Sequence, residues 1–245
     1  MPASNSKERI PKTFSLITTC DPDITIMYSF AKKLDFLAKE YRFYITWLVV
    51  DGLNTFKKEP HNLNTVLANV KLIWHSPDQR ISQIDAFNVG LHKSTDFPVF
   101  LMAPDMKENL YDIPIFLEKI SKGFDIVAAW RFSRVGVSRP RRILTSAFNL
   151  LMRHLFNIPM HDFNTCMSLL SQDATMNWVN TPKDCPSKSL YVVCKHRDSI
   201  AEVPISVKEI AGRRSTYTTR ARLETGLLRI KEALFFFLWY NFNKS

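Results

Sequence analysis

The sequence predicts an α/β fold in which an open, mostly parallel sheet is flanked by helices. Continuous apolar, β-branched runs recur along the first 130 residues, and the segments between them carry apolar residues at helical spacing. Such strands, buried on both faces and alternating with amphipathic helices, are typical of parallel sheets. The chain has 245 residues, of which 46% are hydrophobic and 23% charged, and this composition suits one large folded domain.

The first half of the chain alternates the two kinds of element. In the first predicted helix, for example, Ile24, Met27, Ala31 and Leu34 recur at the spacing of one helical face. Strands are predicted at residues 13–19, 44–50, 70–75, 98–102 and 125–130, and helices at residues 24–40, 82–93 and 113–121.

The last third of the chain is less regular. Its predicted elements are a basic-faced helix at 141–156, a strand at 165–170, a segment at 190–196 that suits either state, a strand at 202–207 and a helix at 220–240. Pro204 supports the last strand, because a proline favours extended backbone in the residue before it. We therefore expect an extension at 1–12, one domain at 13–219 and a C-terminal amphipathic helix within 220–245.

The positive charge of the chain is concentrated in two stretches. Lys and Arg number 33 against 23 acids, a net charge of +10. Residues 128–161 hold six arginines and no acid, and residues 206–245 hold eight bases and three acids. This distribution favours an anionic partner: a nucleic acid, a phosphorylated ligand or an acidic membrane. We expect no nucleic acid, since no recognition helix or aromatic platform accompanies the arginines.

Other patterns exclude several classes of protein. The four cysteines form no CxxC pair, which disfavours a zinc site. The N-terminus lacks the apolar core of a signal peptide, so a cytoplasmic location is expected. The longest apolar run, at residues 233–240, is far shorter than the ~20 residues that cross a bilayer.

Four acids follow predicted strands at the places where ligands of α/β sheets bind. Asp21 and Asp23 come after the first strand, Asp51 after the second and Asp105 after the fourth. Each also has a local interpretation: Asp51 with Gly52 suits a turn, and Asp23 and Asp105 suit helix N-caps.

The order of these features resembles that of family 2 glycosyltransferases of the GT-A fold. TTCDPD, which contains Thr19, Asp21 and Asp23, stands where that family has a segment touching the nucleotide base. VVDGLNT is similar to the family's Val-Asp-Asp-Gly-Ser motif, with Asp51 as the second acid and Val50 in place of the first. The resemblance implies that these four polar residues bind a nucleotide-sugar donor.

The resemblance extends to the family's metal-binding motif. QIDAFNVGLHKSTDFPVFLMAPD is similar to the segment leading to Asp-X-Asp, with Asp105 as the second acid and Ala103 in place of the first. It implies that Asp105 binds the donor and helps to hold a divalent cation, Mg²⁺ or Mn²⁺, against the donor diphosphate. Mg²⁺ usually uses one or two carboxylates together with phosphates, so with Asp105 alone we expect a cation that is weakly bound or absent.

Three later segments resemble the polyprenyl-phosphate transferase group that includes dolichyl-phosphate mannose synthase. KGFDIVAAWRFSR places Arg131 where that group has an arginine, HDFNTCMSLLSQDA keeps Asp162 with Ser168 in place of an arginine, and EVPISVKEIAGRRST resembles a strand and loop with Thr216 where lysine is usual. The match covers roughly residues 13–240.

The resemblance implies an inverting glycosyltransferase that moves a sugar from a nucleotide diphosphate to a polyprenyl phosphate or a cell-envelope glycan. Asp105 and Arg131 are the expected catalytic residues, and an alcohol acceptor would need a general base, for which Asp162 is the candidate. The candidate ligands of phosphate or acceptor are Arg131, Arg141, Arg213 and Arg214.

Alternatives stay open at this point. A soluble transferase that extends an oligosaccharide has the same motifs, and replacements at Val50, Ala103 and Ser168 also suit a silent relative that binds nucleotide-sugar or lipid, or scaffolds a partner.

The C-terminal helix combines basic residues with ALFFFLWY, which is typical of a segment at an anionic membrane interface. A buried helix or a homodimer contact is the alternative, and the membrane interpretation gives a peripheral protein on the inner face.

Overall fold

The elements alternate strand and helix along most of the chain. The computed structural model describes residues 10–56, 58–60, 63–135, 139–165, 167–208 and 219–243. The strands are β1 Thr13–Thr19, β2 Tyr44–Val50, β3 Val70–His75, β4 Val99–Met102, β5 Ile126–Val135, β6 Met167–Leu170 and β7 Ile200–Lys208. The helices are α1 Ile24–Tyr41, α2 Gln83–Lys93, α3 Ile113–Ser121, α4 Arg139–Phe156, α5 Gln172–Val179, α6 Lys188–Lys195 and α7 Thr219–Phe242. Short 3-10 segments lie at Asn64–Val66, Pro104–Asp112 and Arg197–Ser199.

Within the described residues the strands form one seven-stranded sheet in the order β3-β2-β1-β4-β6-β5-β7. Strands β3, β2, β1 and β4 pair in parallel, and β5 pairs in parallel with β7. Strand β6 runs antiparallel to both of its neighbours, β4 and β5. The sheet is therefore mostly parallel, as the sequence predicts, and the carboxyl ends of six strands lie at one edge.

Helices cover both faces of this sheet. On one face, α1, α3 and the Pro104–Asp112 segment pack on side chains such as Phe14, Phe100 and Val127. On the other face, α2, α5 and α6 pack on Ile17, Leu101 and other strand residues, and α4 packs with α7 around Met152 and Phe236. Alternation along each strand sends neighbouring residues to opposite faces, which explains why the buried strands are continuously apolar.

N-cap hydrogen bonds fix the residues at which α1 and α2 begin. The Asp23 carboxylate accepts the backbone N–H of Thr25 as the N-cap of α1, and Ser82 accepts that of Asp85 as the N-cap of α2. Helix α1 ends at Tyr41, and its C-cap residue, Arg42, has a left-handed φ of 53°. No helix in the described part of the chain is long and apolar enough to cross a membrane.

The structure also differs from the sequence-based elements in three places. Helix α5 has no counterpart among the predicted elements, the ambiguous 190–196 segment is mostly helical as α6, and β5 continues five residues beyond the predicted end at Trp130. Strand β5 is longer because β7 pairs with it as far as Val135 and Lys208, a long-range contact that local patterning does not reveal.

Candidate active site

The candidate site lies at the carboxyl edge of the sheet, where the order of strand connections reverses. Strand β1 is flanked by β2 on one side and β4 on the other, so the chain runs outward from β1 to β3 and then returns past β1 to β4, and the crevice beyond the carboxyl ends lies at this reversal. Open α/β sheets bind ligands at such switch points. The segments after β1, β2 and β4 carry the acids that the sequence singles out, Arg131 lies within β5, and the segment before β6 reaches the same edge.

The segment after β1 is partly buried and internally hydrogen-bonded. Thr19 ends β1, and Asp21 is 6% exposed with its Oδ1 accepting the backbone N–H of Asp23 at 2.9 Å. Asp23 caps α1, as its local interpretation predicts, and also accepts the Thr25 hydroxyl at 2.6 Å. These bonds hold two carboxylates in fixed places at the start of α1.

Asp51 fixes the loop that follows β2. Its side chain is fully buried, and its two oxygens accept the backbone N–H groups of Thr55 at 3.0 Å and Phe56 at 2.8 Å. The Asn54 N–H donates to the Asp51 carbonyl at 2.9 Å, so the predicted turn is present. Asp51 thus organises the loop beside the crevice, and a role toward the donor would pass through that loop.

Cys20 lies between the first two acidic segments. Its N–H donates to the Val50 carbonyl at 2.9 Å, which joins the ends of β1 and β2. Burial, and then the carboxylates of Asp51 and Asp21, raise the pKa of the Cys20 thiol. The thiol is therefore uncharged at neutral pH, and it behaves as a small apolar wall of the site.

Asp105 stands at the beginning of the segment after β4. It is exposed and lies in the first turn of the Pro104–Asp112 3-10 segment, whose N-cap is Ala103. The N-cap interpretation of Asp105 is therefore wrong. An exposed carboxylate at this edge suits a cation shared with donor phosphates, since Mg²⁺ keeps few protein ligands. Within the described residues, no cluster of three His, Cys, Asp or Glu forms an all-protein metal site.

Arg131 and Asp162, both predicted catalytic residues, form a two-point ion pair. Nε of Arg131 donates to Oδ2 of Asp162 at 2.6 Å, and one Nη donates to Oδ1 at 2.9 Å. The same Nη donates to the Asn164 carbonyl at 2.7 Å. The Asp162 side chain is 1% exposed and that of Arg131 20%. A phosphate at Arg131, or proton transfer at Asp162, must compete with this pairing.

A second pair next to it was missed by the sequence reasoning. Nδ1 of His161 lies 2.6 Å from a Glu202 oxygen, and the other Glu202 oxygen accepts the His161 backbone N–H at 2.7 Å. The His161 ring stacks on Trp130, with centroids 4.4 Å apart. Glu202 lies on β7, forty-one residues from His161, so the sequence contains no local signal for this contact. Together the two pairs tie the segment before β6 to β5 and β7.

The other predicted residues are placed as follows. The backbone of Arg141 belongs to α4, but its side chain is not among those that the structure describes. Arg213, Arg214 and Thr216 lie outside the described residues. The replacements at Val50 and Ala103 are buried apolar residues at the ends of β2 and β4. They supply no carboxylate at this edge, so Asp51 and Asp105 each lack the first acid of the motif that their segment resembles.

Comparisons with known proteins bear on the fold. No protein-family model matches the chain, and no curated protein matches it in sequence. Its structure is similar to that of glucosyl-3-phosphoglycerate synthase from Mycobacterium tuberculosis in complex with phosphoglyceric acid, with a TM-score of 0.62 and 12% identity over 91% of this chain and 79% of that one.

Two further solved structures are similar. One is mannosyl-3-phosphoglycerate synthase from Rubrobacter xylanophilus, with a TM-score of 0.58 and 13% identity over 90% of this chain and 72% of that one. The other is a mannosyltransferase from Pyrobaculum calidifontis in complex with GDP-Man and Mn²⁺, with a TM-score of 0.53 and 14% identity over 84% of this chain and 59% of that one. At these identities the likeness establishes the fold, and the chain has the mostly parallel, helix-flanked sheet of GT-A glycosyltransferases.

Proposed function

We propose that the protein transfers a sugar, with inversion, from a nucleotide-diphosphate donor to a polyprenyl phosphate or another phosphate-bearing acceptor at a membrane. The observation that carries the proposal is the convergence of Asp21, Asp51, Asp105 and the Arg131–Asp162 pair at the carboxyl edge of a GT-A sheet. Solved structures of this fold include a mannosyltransferase in complex with GDP-Man and Mn²⁺, which supports a donor of this class.

The donor is assigned to the β1, β2 and β4 side of the crevice. Thr19, Asp21 and Asp23 would contact the nucleoside from the start of α1, and Asp51 would shape the loop that closes over it. Asp105 would hold a divalent cation against the diphosphate, and the cation supplies positive charge to the departing phosphate oxygens.

The acceptor is assigned to the β5 and β6 side. Its nucleophilic oxygen would form a bond to the anomeric carbon as the bond from that carbon to the donor diphosphate breaks. A phosphate acceptor is already anionic and needs no strong general base, which suits a site where both Asp162 oxygens accept from Arg131. In this assignment Arg131 faces the phosphates and Asp162 positions it, while Arg141, Arg213 and Arg214 remain candidates for further phosphate contacts.

The proposed membrane-binding surface consists of the outer faces of α4 and α7. Both helices leave large apolar side chains exposed on the side away from their shared core: Ile143, Leu144, Leu150 and Leu151 on α4, and Leu228, Leu234, Phe235, Leu238 and Phe242 on α7. Basic residues such as Arg142 and Lys231 are exposed among them. This mixture favours insertion into an anionic interface, and a homodimer through the same faces is the alternative.

A silent relative that binds nucleotide-sugar or lipid is the second candidate function. The buried state of Asp51 and the absence of carboxylates at Val50 and Ala103 favour it. Titration with UDP- and GDP-sugars, with and without Mg²⁺ or Mn²⁺, shows whether a donor binds. A turnover assay with an acceptor then separates the two functions, because only the enzyme turns the donor over.

The matched variants for this test are Asp105→Ala and Asp173→Ala. Both acids are exposed in the first turn of a helical segment, but Asp173 follows β6 and therefore lies at the opposite edge of the sheet. We expect Asp105→Ala to abolish metal-dependent donor binding and turnover, while Asp173→Ala leaves both unchanged. Equal donor binding in the two variants would remove Asp105 from the site.

A further inference from the structure

An apolar cavity lies beneath the sheet on the face covered by α2, α4, α5, α6 and α7. Its volume is about 260 Å³, more than the roughly 150 Å³ that holds a benzene molecule in an engineered protein cavity. Three strand residues in lateral register, Leu101, Ser168 and Ala128, line it from the sheet. The helices contribute Phe87, Met152, Trp178, Val192 and Ala233, among others.

The cavity exists because two small residues stand side by side in the middle of the sheet. Ser168 pairs with Ala128 on one side and Leu101 on the other, so larger side chains at Ser168 and Ala128 would fill the space below them. Ser168 is half-buried although its strand is central, whereas Leu101 and Ala128 are 4% and 1% exposed.

One end of the cavity reaches the candidate active site. Asn164 and Thr165 line it, and the Asn164 carbonyl accepts a hydrogen bond from Arg131 at 2.7 Å. Gln83 and Ile84, in the first turn of α2, also line the cavity. A ligand could therefore have a polar end beside the Arg131–Asp162 pair and an apolar end under the sheet.

The cavity also adjoins the proposed membrane-binding surface. Met152 of α4 and Ala233 of α7 belong to the buried side of the two helices whose outer faces are apolar and exposed. Apolar side chains predominate in its lining, while polar groups such as Gln83, Asn164 and Glu232 are fewer. Hydrocarbon is the chemistry that such a lining recognises.

We infer that this cavity binds the hydrocarbon segment of the acceptor that is next to its phosphate. The inference rests on the proposed function, because it assigns the phosphate end to the Arg131 side of the site. It adds a location for the chain and a specificity-determining residue, Ser168, whose small side chain admits it.

The test is calorimetry with straight-chain alkyl phosphates from ethyl to octyl, each below its micelle-forming concentration, on the whole protein. For the wild type we expect affinity to rise about fourfold for each added methylene until the cavity is full. Ser168→Leu and, from the opposite wall, Met152→Trp should abolish this dependence on chain length. Ser168→Ala keeps the space and should preserve it.

Several outcomes would overturn the inference. One is a wild-type affinity that does not depend on chain length, and another is the same dependence in Ser168→Leu and Met152→Trp. Octanoate binding as tightly as octyl phosphate would overturn the assignment to a phosphorylated acceptor and point to a fatty acid. A parallel titration with UDP- and GDP-sugars reports on the proposed function separately, since its failure leaves the alkyl-phosphate series intact.

Discussion

The Arg131–Asp162 pair joins β5 to the segment before β6 through two charge-assisted hydrogen bonds. Because Asp162 is 1% exposed, removing either partner alone leaves the other in a poorly solvated place. We expect Asp162→Leu and Arg131→Met each to lower the free energy of unfolding by about 2–4 kcal/mol, and the double variant to lose less than the sum by about 1–3 kcal/mol. Urea denaturation of the four proteins measures this coupling, and additive losses would contradict it.

Asp51 gives a second prediction at the scale of single residues. Asp51→Asn keeps the size of the side chain but replaces one charged acceptor oxygen by a donor, facing the N–H of Thr55 or Phe56. The expected loss is about 1–3 kcal/mol in the free energy of unfolding. Thr55→Ala is the control, because it removes an exposed side chain and keeps the backbone N–H that Asp51 binds. Similar stability of Asp51→Asn and the wild type would show that the loop does not depend on this carboxylate.

Helix α2 packs unusually close to β1, and Gly90 makes this possible. A Cβ at Gly90 would overlap with Cγ2 of Ile17, a buried residue of β1. Gly90→Ala should therefore destabilise the protein by about 1–3 kcal/mol by overpacking, although alanine is the better helix former. In the Ile17→Ala background the same change should cost far less. Thermal or urea unfolding of the four proteins checks this, and an equal cost in both backgrounds would refute the steric explanation.

Asp125 ties four elements together at the opposite edge of the sheet. Its carboxylate accepts from Ser171 at 2.9 Å and lies 3.0 Å from Nδ1 of His196, while its N–H donates to the Ser199 carbonyl. Burial raises its pKa, but the hydrogen bonds from His196 and Ser171 outweigh this and hold the pKa below the ordinary value.

A carboxyl whose pKa is lower in the folded state stabilises the protein above its ordinary pKa of about 3.8, and this contribution is lost as pH falls through the folded pKa. We expect Asp125→Asn to cost about 1–2 kcal/mol at pH 7 and less below pH 3. Unfolding free energies of Asp125→Asn and the wild type at pH 7, pH 5 and about pH 2.5 test this. A loss that is the same at every pH would contradict the role of the charge.

At the scale of the whole molecule, the outer faces of α4 and α7 form one apolar and basic surface. Phe235→Glu and Leu238→Glu should each weaken binding to anionic liposomes by about tenfold or more, since each replaces an inserted apolar group by a repelled acid. Phe36→Glu is the control, because Phe36 is 55% exposed on α1, across the sheet. Liposome flotation at low and high salt measures the effect. Equal liposome binding by Phe235→Glu, Leu238→Glu and the control Phe36→Glu would exclude this surface as the membrane-binding one.

Much of the fold could be predicted because its signals are local. The bounds of β1, β2 and β3 agree with the predicted runs, since each is a short segment rich in apolar and β-branched residues. Asp23 could be recognised as an N-cap because its partner is two residues away. Helix α5 was missed since its eight residues carry little periodicity and are held by contacts with α2 and α6.

The site could be predicted only in part. The positions of Asp51 and Asp105 follow from strand ends, which the sequence marks, whereas Arg131 was expected directly after β5 and lies within it. Their partners do not: Asp162 is thirty-one residues from Arg131, and Glu202 is forty-one from His161. A side chain that suits phosphate binding also suits a buried ion pair, and only the distances in the folded chain distinguish them.

The sequence by itself determined the alternation of strands and helices, the parallel character of the sheet and the edge at which its polar residues gather. These depend on hydrophobic periodicity and turn chemistry, which act over a few residues. The tertiary structure alone decided that β6 is antiparallel, that Arg131 meets Asp162, and that Ser168 and Ala128 leave a cavity under the sheet. Each of these depends on which distant segments become neighbours, and packing at long range sets that choice.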